Sequence, residues 1–63
     1  MTVQVKDILP GNEVVYEAYR YRVLGKRNWN IRETVLEMRK MHSTDSGYVE
    51  ITLPNDTPIY RID

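Results

Sequence analysis

Residues 48–53 alternate between apolar and polar side chains, and this pattern constrains the fold more than any other part of the chain. The apolar members take every second position and the others lie between them: Val49, Ile51 and Leu53 against Tyr48, Glu50 and Thr52. Successive side chains of a β-strand point to opposite faces of its sheet. The segment therefore predicts a strand whose apolar face is buried, with Glu50 and Thr52 exposed.

Three other segments have the composition of strands and are separated by turn signals. They contain the valine, isoleucine and tyrosine that suit a pleated, half-buried surface, and they comprise residues 14–18, 19–25 and 59–62. The segments that bound them are Pro10-Gly11-Asn12, a tight turn near residues 17–20, a polar loop over 26–30 and the stretch from Pro54 to Pro58. Each of the three is predicted to be a short antiparallel strand.

Residues 30–42 carry signals for both a strand and a helix. Alternation within 33–41, followed by a turn-rich linker, favours a strand that forms a hairpin with the next one. A helix is favoured by Asn30 as N-cap, Glu33 at the capping-box position and basic residues near the C-terminal end. We predict the strand, because a surrounding sheet often overrides helix propensity, and a helix at about 30–42 in an α+β, ββαββ arrangement is the alternative.

The size and composition of the chain indicate one small globular domain. A chain of 63 residues has room for a single hydrophobic core, so one domain is expected over residues 1–63. Its 41% hydrophobic and 29% charged residues exclude the disordered class. Cysteine is absent, and neither a secretion signal nor an apolar run of about 18 residues occurs. A soluble, cytoplasmic protein without membrane contact is expected.

The order of the five predicted strands, with a basic loop after the second and a constrained turn before the last, resembles an SH3-like small β-barrel. The resembling residues are Pro10-Gly11-Asn12-Glu13-Val14 leading to Tyr21-Arg22-Val23-Leu24, and Asn55-Asp56-Thr57-Pro58 where such folds often place a 3₁₀ turn. The resemblance implies an all-β, five-stranded barrel. It also implies a binding module for RNA, DNA, peptides or larger complexes, and the fold alone does not choose among them.

A basic segment over residues 20–32 is the best candidate for a functional surface. It contains five basic residues and no acidic one, although the whole chain has no net charge. Cations interleaved with aromatic rings are typical of surfaces that bind single-stranded nucleic acid, because cations contact phosphates and rings stack on bases. The predicted binding residues are Tyr19, Arg20, Arg22, Lys26, Arg27, Trp29 and Arg32. The same pattern also fits a solvated strand and loop, with Tyr21 in the core and Trp29 covering one end of the barrel.

No enzymatic chemistry is predicted, and neither a cofactor nor a metal is expected. The single histidine, His42, lies beside Ser43 and Asp45, whereas members of a catalytic triad converge from separate elements. A zinc site needs thiolates or a second histidine, and three scattered glycines do not form a phosphate-binding loop. The partner is expected to be nucleic acid or a protein, with little to separate the two. A protein partner would fit a small regulator, inhibitor or assembly subunit, and a second copy could join at an open strand edge.

Overall fold

The chain folds into one antiparallel sheet and a single turn of 3₁₀-helix, Val5–Asp7. The structure, a computed structural model, describes residues 1–28, 30–42 and 47–62. Within these ranges the strands are β1 (Thr2–Gln4), β2 (Glu13–Tyr16), β3 (Tyr19–Asn28), β4 (Glu33–Lys40), β5 (Tyr48–Pro54) and β6 (Pro58–Ile62). The prediction of an all-β fold is confirmed.

The sheet is open, with the strand order β1-β6-β2-β3-β4-β5. All five neighbouring pairs are antiparallel, and the order ends at β1 on one side and at β5 on the other. The five-stranded closed barrel expected from the sequence is therefore not seen. β1, from the segment before Pro10-Gly11-Asn12 that was not assigned to a strand, adds a sixth strand beside β6.

The alternative prediction of a helix at residues 30–42 is wrong, because this segment contains the strand β4. The strand pairs with β3 on one side and β5 on the other, so its backbone groups are used in two ladders. Its side chains at 34, 36 and 38 are buried. Asn30, the expected helix N-cap, instead closes the turn before β4: its Oδ1 accepts hydrogen bonds from the backbone N–H groups of Arg32 (2.7 Å) and Glu33 (2.9 Å). Asparagine serves either structure, because its side chain can cap a turn as well as a helix.

The β2–β3 hairpin turns through Glu17 and Ala18, as predicted near residues 17–20. Both residues have positive φ, 49° and 71°. Positive φ at both central positions is the geometry of a two-residue turn that matches the twist of the flanking strands.

β3 extends through residues 26–28, which the sequence predicted to be a loop. A register shift between Val23 and Gly25 in the pairing with β4 interrupts the alternation there. Beyond it, Lys26 lies opposite Leu36 and Arg27 opposite Val35. The polar residues 26–28, whose composition favoured a loop, therefore belong to the strand.

The main core cluster lies on one face of the sheet, which we call the inner face, and Val35, at an outer-face position of β4, is also buried. The main cluster comprises Val5, Ile8, Val14, Tyr21, Val23, Leu36, Met38 and Ile59. The inner side chains of β5, Val49, Ile51 and Leu53, pack against this cluster but remain partly exposed, while Glu50 and Thr52 are exposed on the outer face. The predicted register of β5 is confirmed, whereas its full burial is not, because β5 is an edge of the sheet that the described residues form.

Asn55, in the turn between β5 and β6, joins three segments of the chain. Its Nδ2 donates to the carbonyl of Ile31 (3.0 Å), and its Oδ1 accepts from the hydroxyl of Thr34 (2.7 Å). Its backbone N–H donates to Arg32 O (2.8 Å), and its carbonyl accepts from the N–H of Lys6 (3.1 Å). The side chain of Asn55 thus fixes the loop before β4 against the end of β5, and its backbone carbonyl holds the 3₁₀ turn there.

Candidate nucleic-acid interface

The predicted binding residues do not lie on one face. Arg20 and Arg22 project from the outer face of β3, opposite Val15 and Glu13. Lys26 follows the bulge and lies opposite buried Leu36, and its Nζ donates to the carbonyl of Lys6.

The remaining predicted residues are dispersed as well. Arg27 is on the outer face of β3, Arg32 is in the loop before β4, and Tyr19 starts β3 with its ring 3.6 Å from Nζ of Lys40. Trp29, the expected stacking residue, lies outside the described residues.

Carboxylates from other strands pair with three of the five cations. Glu13 contacts Nη2 of Arg20 at 3.0 Å and Nη2 of Arg22 at 3.5 Å. Arg27 lies between Glu37 and Glu50, with Nη–Oε distances of 3.2 and 3.0 Å. The excess of positive charge along the sequence is therefore largely balanced in space. Pairs this exposed contribute little to stability, about 0–1 kcal/mol each.

The fold creates a basic cluster that the sequence did not indicate. Arg39 on β4 lies directly opposite Arg22 on β3, and no ion pair or hydrogen bond of its guanidinium occurs within the described part of the chain. A shallow depression of about 350 Å³ opens beside the two arginines and is lined by Arg22, Arg39, Lys40, Met41 and His42. None of these lining residues is acidic.

Tyr48 completes the row across the outer face. It lies opposite Arg39 at the start of β5, and its side chain is 48% exposed. Its hydroxyl donates to Glu37 Oε2 (3.1 Å), and this hydrogen bond, with a smaller effect of desolvation, raises the pKa of Tyr48. Glu13, Arg22, Arg39 and Tyr48 thus stand side by side on four neighbouring strands.

We call Arg20, Arg22, Arg39, His42 and Tyr48 the basic patch. Only Arg20 and Arg22 belonged to the predicted set. Arg39 could have been placed from the sequence only with the register of the β3–β4 pairing, which the bulge at residues 23–25 conceals.

A second depression, of about 430 Å³, lies at the other end of β4. It is lined by Ile31, Arg32, Pro54, Asn55 and Asp56. Ile31 is 91% exposed there. Its lining combines one cation, one carboxylate and apolar groups, so its charge does not favour an anion.

Two further kinds of feature are absent from the residues that the structure describes. They include no group of three or more histidine, cysteine, aspartate or glutamate side chains that could hold a metal ion. They also include no helix with the length and apolar character to cross a membrane.

No family model, curated protein or solved structure matches the chain at a significant level.

Proposed function

We propose that this chain is a small, non-enzymatic, cytoplasmic binding module that contacts single-stranded nucleic acid through the basic patch. In this proposal Arg22 and Arg39 bind a phosphate, Arg20 and His42 extend the contact along the backbone, and Tyr48 stacks on a base. Aromatic rings on a sheet surface beside cations are a common means of binding unpaired bases.

The facing pair Arg22 and Arg39 carries the proposal. Like charges directly opposite each other destabilise a sheet, and among the described residues only Arg22 of the two has an ion pair, with Glu13 at 3.5 Å. A phosphate between the two guanidiniums would remove this repulsion and would accept several N–H donors from their planar forks. The pair is therefore better suited to an anionic ligand than to a solvent-exposed strand face.

Tyr48 adds what a simple anion site does not need. Its ring is half exposed next to Arg39, and the hydrogen bond from its hydroxyl to Glu37 holds it on the outer face. A ring fixed in this way beside a phosphate site suits stacking on a base.

We also propose that the fold is an open relative of the SH3-like small barrels. The five strands predicted from the sequence correspond to β2 to β6. Of these, β2 to β5 form a meander, and β6 returns to pair with β2. That arrangement lets a five-stranded sheet curl towards a barrel, and β1 is an addition at its edge. Such a relation supports a binding function but does not select the ligand.

The test compares two exposed arginines of different position. Arg39→Thr removes the facing pair, and Arg32→Thr removes a cation about 20 Å away along β4 that has no side-chain partner within the described residues. Fluorescence anisotropy with a labelled single-stranded RNA and a single-stranded DNA at low salt should show weaker binding for Arg39→Thr and little change for Arg32→Thr. Arg39→Thr should leave stability unchanged or raise it by about 0.2–1 kcal/mol, because a like-charge pair is lost.

Tyr48 and salt provide independent readouts. Tyr48→Ala should cost about 1–3 kcal/mol of binding free energy, whereas Tyr48→Phe, which keeps the ring but lacks the hydrogen bond to Glu37, should lose clearly less. With about two phosphates contacted, log K should fall with log salt at a slope of about −1 to −2. Equal losses for Arg39→Thr and Arg32→Thr, or no binding by wild type at low salt, would overturn the proposal and favour a protein partner.

A further inference from the structure

β5 is an open strand edge of unusual length for so small a sheet. The sheet ends at β5, which has seven residues, whereas the opposite edge, β1, has three. Natural edges are commonly blunted by lysine, proline or a bulge. β5 carries no basic residue, its proline is its last residue, and its pairing with β4 is regular throughout.

Two hydrogen bonds at the ends of the β4–β5 ladder determine which backbone groups are free. Lys40 N–H donates to Gly47 O (2.8 Å), and Asn55 N–H donates to Arg32 O (2.8 Å). Because bonded and non-bonded pairs alternate along an antiparallel ladder, the odd-numbered residues of β5 bond to β4. The N–H and C=O groups of Tyr48, Glu50 and Thr52 therefore face the open edge.

The sequence of β5 is complementary to itself in one antiparallel register. With Ile51 opposite Ile51 of a second copy, Val49 faces Leu53, Glu50 faces Thr52 and Tyr48 faces Pro54. Apolar residues then meet apolar residues on the inner face, and no two carboxylates are opposed. The three free N–H groups of each strand also find carbonyl acceptors, including that of Pro54, which has no N–H to leave unpaired.

The other registers of the strand with itself are poorer. Centring on Glu50 places two carboxylates opposite each other, which destabilises a pair. Centring on Val49, Thr52 or Leu53 shortens the ladder at one end. Centring between two residues would set bonded groups of one strand against free groups of the other.

We propose that two copies of this chain associate through β5, antiparallel, with Ile51 on the two-fold axis. The contact adds apolar neighbours to Val49, Ile51 and Leu53, which a single copy leaves partly exposed. One strand pair buries less than a standard interface, so the dimer is weak and depends on concentration. The proposal goes beyond the proposed function, and its tests use no nucleic acid.

The first experiment measures mass by sedimentation equilibrium over a concentration series. Wild type should rise from 7.5 kDa towards twice that mass. Thr52→Pro should remain at 7.5 kDa, because it removes an N–H that faces the open edge and leaves the ladder with β4 intact. A circular dichroism spectrum equal to that of wild type confirms its fold.

Charge variants at residue 52 test the register. Thr52→Glu places a carboxylate opposite Glu50 of the partner copy twice per dimer, and should weaken association about 2- to 30-fold. Thr52→Lys should strengthen it by a similar factor, and the double variant Glu50→Lys/Thr52→Glu should restore it. The matched control is Thr2→Glu on β1, the other edge, which should leave association unchanged.

Amide hydrogen exchange gives a residue-level readout. As concentration rises, the amides of Tyr48, Glu50 and Thr52 should exchange more slowly, whereas those of Val49 and Ile51 should change little because they already bond to β4. The proposal is overturned if wild type stays monomeric up to about 1 mM, if Thr52→Pro dimerises normally, or if Thr52→Glu and Thr52→Lys act alike.

Discussion

The hydrogen bond between Tyr48 and Glu37 on the outer face makes stability depend on the protonation of the Tyr48 hydroxyl. The hydrogen bond to Glu37 raises the pKa of Tyr48 above its ordinary value of 10.0. The folded-state pKa is the higher one, so the contribution of this contact to stability is present below pH 10 and is lost as pH rises through the raised pKa.

Glu37→Gln should therefore bring the pKa of Tyr48 down towards 10.0. A titration followed by near-ultraviolet absorbance measures the change, and Tyr48→Phe identifies the step that belongs to this residue. Tyr16, whose pKa is raised chiefly by burial, should still titrate late in Glu37→Gln. Superimposable titration curves for Glu37→Gln and wild type would contradict the assignment.

The sequence predicted which residues carry the charges of the candidate site, but it did not predict which of them lie next to one another. The sequence identifies Arg20, Arg22 and Arg27 as a local excess of positive charge. Their carboxylate partners Glu13 and Glu37 lie 7 to 10 residues away and Glu50 lies farther, all on other strands, and only the strand register brings them together. Arg39, which has no ion pair within the described ranges, was missed for the same reason, since its place opposite Arg22 depends on a bulge.

The turn between β2 and β3 is the element whose residues fit its geometry least well. Glu17 and Ala18 have positive φ, which costs about 1–2 kcal/mol per residue when a Cβ is present. Asn-Gly is the preferred pair for this geometry. Replacing Glu17 by Asn and Ala18 by Gly together should raise the free energy of unfolding by about 1 kcal/mol, measured by urea denaturation.

Ala18→Val provides the opposite control for this turn. A β-branched residue tolerates a φ of 71° poorly, so this variant should be less stable than wild type. If the double variant Glu17→Asn/Ala18→Gly is less stable than wild type, the side chain of Glu17 or Ala18 contributes more to stability than the backbone strain costs.

The strands were predictable to within a few residues wherever their alternation was unbroken. β5 is the best example, since its register followed directly from residues 48–53. β3 was cut short at residue 25 because residues 26–28 are polar and resemble a loop in composition. For residues 30–42 the capping and alternation signals were both present in the sequence, and pairing on both sides of β4 decided the outcome.

For the whole molecule, the loss of stability on replacing a leucine by alanine should depend on whether that leucine lies on a central or an edge strand. Leu36 on central β4 is fully buried, whereas Leu53 on the β5 edge is partly exposed. Leu36→Ala should cost about 2–5 kcal/mol, a large share of the stability of so small a domain. Leu53→Ala should cost clearly less, and the two are compared by urea denaturation at one low concentration. Equal losses would contradict the open edge.

The proposed dimer leaves the basic patch of each copy accessible. Each copy would add its outer face to one continuous sheet, so both basic patches would lie on the same side of that sheet, related by the two-fold axis at Ile51. A strand of nucleic acid could then contact two patches at once, which would raise its apparent affinity without any new contact within a copy.

Asn55 is also a residue at which deamidation would change the structure. Slow hydrolysis of its side-chain amide would replace Nδ2, which donates to Ile31 O, with an oxygen that can only accept. Two oxygens would then face each other where the loop before β4 is held, and the neighbouring contact with Thr34 would carry a charge. That change would weaken the attachment of the loop before β4 to the end of β5, whereas the bond from Lys6 N–H to the backbone carbonyl of Asn55 would remain.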